Sequence, residues 1–204
     1  VFRVCGVGSG RGSVFTPSDF LDVAARGAVD QALSRLTRAG DLRRLARGLY
    51  DFPKIHPKLG ALSPSPDDVA KALARETGSN LQIDGPQAAN ALGLSTQVAA
   101  QSRWLTDGPS RRVVLGKRVI DLRHTSPKHL IAPGSPAGTV VQALRHVGAA
   151  RASDVMHAAS RHLSDSDKKL LARNATQAPA WMRATLISIA NSKPSGCGAD
   201  AAIG

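Results

Sequence analysis

The side chains best suited to chemistry in this sequence are arginines, and their spacing points to phosphate and base contact rather than to bond breaking. Gln31, Ser34, Arg35 and Arg38 recur at three- and four-residue intervals, so a helix would gather them on one side beside Asp30. Such side chains reach base edges and phosphates from the major groove, where arginine pairs with guanine and glutamine with adenine. Arg43, Arg44 and Arg47 follow at once and would hold flanking phosphates from a small hairpin. From Arg26 to Arg47 six arginines stand against Asp30 and Asp41. A single outward arginine on an amphipathic helix is ordinarily a solvated charge; the clustering on one helix and one hairpin is what favours a duplex.

Other chemistry finds less support. Among His124, His129, His146, His157 and His162, only the last two are close within a helix, and a spacing of five puts them on different faces. No carboxylate pair frames them, so no metal, cofactor or catalytic residue is expected. Gly8-Ser9-Gly10-Arg11-Gly12-Ser13 lacks the Gly-Lys-Ser/Thr ending of a phosphate loop. Asn90, Ser95, Thr96, Gln97, Thr106 and Asp107 could form a polar site, but they read better as caps and turn residues. Cys5 and Cys197 support neither a disulfide framework nor a zinc site, which fits a reducing cytoplasm.

The 204 residues carry a net charge of +12 with an isoelectric point near 10.8, which favours a polyanionic partner. Charge alone does not separate nucleic acid from an acidic membrane surface. No apolar run approaches the roughly 18 residues a spanning helix needs, and the start is too short and glycine-broken for a secretory signal. Aromatic residues make up 3% of the chain, too few for a base-stacking platform, so duplex DNA is the better substrate.

Thr16–Leu21 starts a short helix, Arg26-Gly27 marks a turn, and Val29, Ala32, Leu33 and Leu36 give the second helix a buried stripe that Gly40 ends. Two strands around Ala46-Arg47-Gly48 follow, with Leu45, Leu49 and Phe52 packing inward and Arg43, Arg44 and Arg47 outside. This is the order of a winged helix-turn-helix over residues 1–54. Residues 1–13 lack the helix that usually opens such a unit, and the chain does not begin with methionine, so a processed or truncated form is expected.

Lys54–Ser65 reads as a proline-rich linker to a second domain, residues 55–192. That domain opens with a helix capped by Ser65, with Pro66, Asp67 and Asp68 in its first turn and Gly78 at its end. A strand at 81–83 and a short helix closed by Gly93 follow. Three strands, Ser102–Thr106, Arg111–Leu115 and Arg118–His124, would form a small antiparallel sheet with turns at Asp107-Gly108 and Gly116-Lys117. Here Arg103, Arg111, Arg112, Lys117, Arg118, Arg123 and Lys128 oppose only Asp107 and Asp121. They either protect a sheet edge or make a second surface for nucleic acid or an acidic partner. Helical stripes return as Val140/Val141/Leu144/Val147, Val155/Met156/Ala159/Leu163, Leu170/Leu171 and Trp181/Thr185/Leu186/Ile189. Residues 193–204 read as a disordered tail. The expected class is α+β.

The segments Gly12–Thr16, Ala32–Leu36, Gly40–Tyr50, Ala88–Gln97 and Leu105–Gly108 resemble the abortive-infection type IV antitoxins (AbiEi-like). The resemblance runs from about residue 12 to 148. It implies an N-terminal winged unit that binds inverted repeats of double-stranded DNA in its own promoter and represses a two-gene operon. It also implies a C-terminal domain that helps to neutralise a nucleotidyltransferase-like toxin without a stable complex. Carried over, Gln31, Ser34, Arg35 and Arg38 would lie on the recognition helix, and Arg43, Arg44 and Arg47 on the wing. Two alternatives remain: an interaction module whose basic sheet grips an acidic toxin surface, and an enzyme built around Asp107.

Overall fold

The computed structural model describes residues 10–96 and 101–192. Cys5, Gly8, Ser9, Gln97, Cys197 and the tail 193–204 lie outside them. The chain is α+β and divides into two compact units, one from the described residues of Val1–Leu81 and Ala100–Thr125, the other from those of Gln82–Ala99 and Ser126–Gly204.

The first unit opens with β1 (Val14–Phe15), a 3-10 turn Pro17–Phe20, α1 (Arg26–Arg38), β2 (Arg43–Ala46) and β3 (Leu49–Asp51). Asp19 fixes the 3-10 turn by accepting from the Thr16 backbone N–H at 2.8 Å. The turn expected at Arg26-Gly27 lies earlier, where the N–H groups of Val23 and Ala24 both bond to the Phe20 carbonyl, and α1 starts at Arg26 itself. Val29 and Leu33 are buried against Phe15, with Phe20, Leu42, Tyr50 and Phe52 around them. Ala32 and Leu36 complete the stripe half-buried. Phe15 meets Phe20 edge-on at 5.4 Å and stacks on Tyr50 at 6.4 Å.

The antiparallel sheet runs β1-β3-β2, pairing Phe15 and Arg44 with Tyr50, and Val14 and Arg43 with Asp51. Directly paired residues share a face. Phe15, Tyr50 and Arg44 therefore lie on the α1 side, and Val14, Asp51 and Arg43 on the other.

The stretch expected to be a linker is instead a hairpin, β4 (Ile55–His56) with β5 (Gly60–Ala61), closed by the Leu62 N–H on the Lys54 carbonyl at 2.8 Å. Next comes α2 (Pro66–Thr77), begun by Ser65 accepting from the Asp68 N–H at 3.1 Å and ended by Gly78 as expected. Arg75 on α2 donates to Asp19 at 3.2 Å and to the Val14 carbonyl at 3.0 Å. These bonds tie α2 to β1, so the expected domain boundary at residue 54 falls inside the first unit.

The chain leaves this unit through β6 (Leu81–Ile83) and returns for β7 (Ser102–Thr106), β8 (Arg111–Leu115) and β9 (Arg118–His124), the spans the sequence predicts. Trp104, Val113, Ile120 and Leu122 form the buried face, against which α2 packs. β8 and β9 are antiparallel as expected, but β7 lies parallel to β9, so this sheet is mixed. Asp107-Gly108 does not close a hairpin because Asp107 is held by the Asn80 backbone N–H and side-chain amide, both at 2.7 Å. The Gly108 N–H turns back to the Thr106 hydroxyl at 3.1 Å, sending β8 to the far side of β9.

The second unit packs α3 (Gly85–Ala91), α4 (Pro136–Val147), α5 (Ala152–His162), α6 (Asp165–Asn174) and α7 (Ala180–Asn191) around Val140, Leu144, Val155, Ala159, Leu171, Met182 and Leu186. Asp84, Ser135 and Ser164 cap α3, α4 and α6. Two expected core residues are at the surface: Met156 is 36% exposed and Trp181 45%. Met182 takes the place of Trp181, because the buried stripe of α7 is Met182, Leu186 and Ile189 at intervals of four and three. Buried Lys168 donates to the Ser192 carbonyl at 2.8 Å, placing a cation at the C-terminus of α7. Among the described residues no helix is long and apolar enough to cross a membrane.

Candidate nucleic-acid interface

The face of α1 opposite Val29 and Leu33 presents Gln31, Arg35 and Arg38 to solvent, with Ser34 half-buried beside them. Arg35 and Arg38 occupy the last turn, where the helix dipole favours cations. Neither guanidinium has a carboxylate partner among the described residues. Arg26 does: it meets Asp30 at 3.2 Å, with both side chains about half exposed, a pair of little energetic weight that reduces the charge of the first turn.

On the β2–β3 hairpin the expected trio of arginines divides. Arg44 and Arg47 are exposed, but Arg43 is half-buried and engaged by the fold. Its guanidinium grips Asp51 through two bonds, 3.1 and 2.6 Å, and gives a third to the Leu62 carbonyl at 2.7 Å. Asp51 is 1% exposed, and its hydrogen bonding holds the Arg43 guanidinium still more firmly protonated than usual. Strand alternation is the reason: β2 turns Arg44 to the α1 side and Arg43 to the opposite face, against buried Asp51. The hairpin turns at Arg47-Gly48, where a φ of +69° suits glycine.

The second basic surface divides as well. Arg111 points inward from β8, forms an ion pair with Glu76 of α2, and donates to the Arg47 carbonyl at 2.9 Å. It is therefore not part of an open surface; it fastens the β2–β3 turn against α2 and β8. Arg103 and Arg123 flank a single carboxylate, Asp121, at 3.4 and 3.1 Å. Arg112, Lys117 and Arg118 are exposed and carry no ion pair among the described residues. The sequence separates the two sets of arginines by 55 residues or more, yet Arg111 links them within one folded unit. No periodicity could have announced that bond; the alternation of Arg43 and Arg44 did offer a signal that one of them faces inward.

Of the polar residues weighed as an alternative site, Thr106 and Asp107 are occupied structurally. Asp107 is bonded to Asn80, which holds its carboxyl below the ordinary range, and buried Thr106 accepts from Gly108. His124 meets the Gly108 carbonyl at 2.9 Å through Nδ1. No group of three His, Cys, Asp or Glu side chains among the described residues is arranged to hold a metal ion.

These features define an α+β protein with an arginine-bearing helix and hairpin in its first unit. Residues 8–171 match the model of DUF6088, a family of unknown function, and the chain belongs to that family. No curated protein matches it. Among solved structures, the RV2827C protein from Mycobacterium tuberculosis is similar at 20% sequence identity and a TM-score of 0.41, over 88% of this chain and 72% of that one.

Proposed function

We propose that this chain is an AbiEi-like antitoxin that binds double-stranded DNA through a winged helix-turn-helix and represses its own operon. The observation that carries the reading is the exposed set Gln31, Arg35 and Arg38 on α1, accompanied by exposed Arg44 and Arg47 on the neighbouring hairpin. The succession β1, 3-10 turn, α1, β2, β3 and the sheet order β1-β3-β2 support it. So does α2, which packs against β1 and the 3-10 turn.

In this reading α1 enters the major groove while Arg44 and Arg47 hold flanking phosphates, and two copies read the halves of an inverted repeat. Arg112, Lys117 and Arg118 favour a second reading, direct contact with an acidic face of a nucleotidyltransferase-like toxin; stable co-purification of the two proteins would support it. The DNA reading is tested by titrating Arg35→Ala against a duplex from upstream of the chain's own reading frame. The expected loss is roughly 1–3 kcal/mol. Unchanged affinity in both Arg35→Ala and Arg44→Ala would remove the docking scheme.

A further inference from the structure

The β4–β5 hairpin is an arm without a core of its own. It has two residue pairs, Ile55 with Ala61 and His56 with Gly60, and every residue from 54 to 61 is exposed. A ribbon this short does not hold together unaided in water. Its shape comes from its two ends. At the base, the Arg43 guanidinium clamps the Leu62 carbonyl to buried Asp51. At the tip, His56 Nδ1 accepts the backbone N–H groups of Lys58 and Leu59 at 3.2 and 3.3 Å.

What the arm displays is apolar and cationic. Leu59 is 73% exposed, the most exposed large aliphatic side chain described, and Ile55 is 52% exposed. Lys54, His56 and Lys58 stand among them, and no acidic residue occurs from Phe52 to Pro66. An unanchored linker has no reason to hold two aliphatic side chains in water; a rooted arm that meets a ligand does.

We infer that this arm is a second DNA-contacting element: Lys54 and Lys58 bind phosphates beside the segment met by α1, and Leu59 lies against the wall of a groove and distorts the duplex. The inference rests on the DNA-binding reading proposed above. A two-stranded ribbon fits a groove, lysines release counterions from phosphates, and apolar wedges bend DNA by partly unstacking a base step. The arm follows β3 directly, in the same unit as α1, Arg44 and Arg47.

The test uses the full chain and the upstream duplex, end-labelled with a fluorescent donor and acceptor, across a salt series. Lys54→Ala/Lys58→Ala is expected to lower the salt-dependence slope by about two units. Leu59→Ser is expected to reduce the bend while leaving that slope unchanged. Because all three positions are exposed, a melting curve matching the parent chain establishes that each variant is folded. If Arg35→Ala weakens binding while the arm variants match the parent in slope and bend, the arm inference is overturned and the docking reading stands. If Arg35→Ala and Arg44→Ala also bind as the parent does, both fall. Loss of binding to anionic phospholipid vesicles by the arm variants, with DNA binding unchanged, would overturn the inference in favour of a membrane ligand.

Discussion

Replacing Arg43 and Arg44 one at a time separates a structural arginine from one proposed to bind DNA, although the two are neighbours on β2. Arg43→Ala leaves the Asp51 carboxylate, 1% exposed, without either of its guanidinium bonds, and leaves the Leu62 carbonyl without its donor. Breaking a fully buried pair costs about 3–5 kcal/mol. The Arg43 side chain is 35% exposed, so water recovers part of that, and about 2–3 kcal/mol is the reasoned loss. With a urea slope of roughly 1–2 kcal/mol/M for a unit of this size, the midpoint should fall by about 1–3 M.

Trp104, 4% exposed in the first unit, makes its emission a probe of that unit, whereas Trp181 is 45% exposed in the second. Arg44→Ala removes an exposed side chain and should leave the midpoint within the effect of about 0.5 kcal/mol typical of surface changes. It should instead lower the salt-dependence slope of DNA binding by about one unit. An Arg43→Ala midpoint equal to that of the parent, or an Arg44→Ala midpoint shifted as far as that of Arg43→Ala, would refute this division of roles.

Further expectations concern the two units separately. Arg111→Ala should free the Arg47 carbonyl and leave Glu76 unpaired, raising hydrogen exchange at the Arg47-Gly48 turn and weakening DNA binding through disorder of the hairpin; Arg112→Ala, on the other face of β8, should not raise that exchange. Gly138→Ala would set a methyl group 2.3 Å from the Ala132 carbonyl oxygen and 2.6 Å from Gln82 Oε1, and overpacking of this kind costs about 1–3 kcal/mol, readable as a lower melting temperature of the second unit. Slight desolvation, and then the nearby Arg145 and Lys128, push the exposed His129 imidazole below its ordinary pKa, a shift that solvent screening keeps of small weight for stability. Its neutral form also meets Arg145 Nη1 at 2.8 Å through Nδ1. A histidine depressed in the folded state keeps its full contribution above the unfolded pKa and loses it as pH falls through about 6.5 toward the folded value. The second unit should therefore melt slightly lower on mild acidification, and His129→Gln should flatten that part of the pH profile.

Local features were legible in the sequence where neighbours along the chain decide them. The Ser65-Pro66-Asp67-Asp68 helix start and Gly78 stop carry their own hydrogen-bonding logic, and the bounds of the three strands from 102 to 124 followed from alternation and turn residues. On α1, Val29 and Leu33 reached the core while Gln31, Arg35 and Arg38 reached water, because helical periodicity fixes which side chains oppose each other. Failures came where a pattern admitted two solutions. On α7 Trp181 and Met182 are adjacent apolar residues, and only the fit against the other helices chose the second. Pro53, Pro57 and Pro64 suggested a linker because a two-pair hairpin has too few residues to show alternation.

What the chain determined by itself is thus the identity of its main helices and of the strands from 102 to 124, its excess of positive charge, and the face on which α1 carries its arginines. Tertiary structure alone decided which basic residues remain open to a ligand. Arg43 is committed to Asp51 and Leu62, and Arg111 to Glu76 and the Arg47 carbonyl, while Arg44 and Arg112 beside them stay in solvent. The physical reason is that a guanidinium carries the same charge wherever it stands; whether it meets a carboxylate depends on strand register and on partners dozens of residues away, which composition and spacing do not encode.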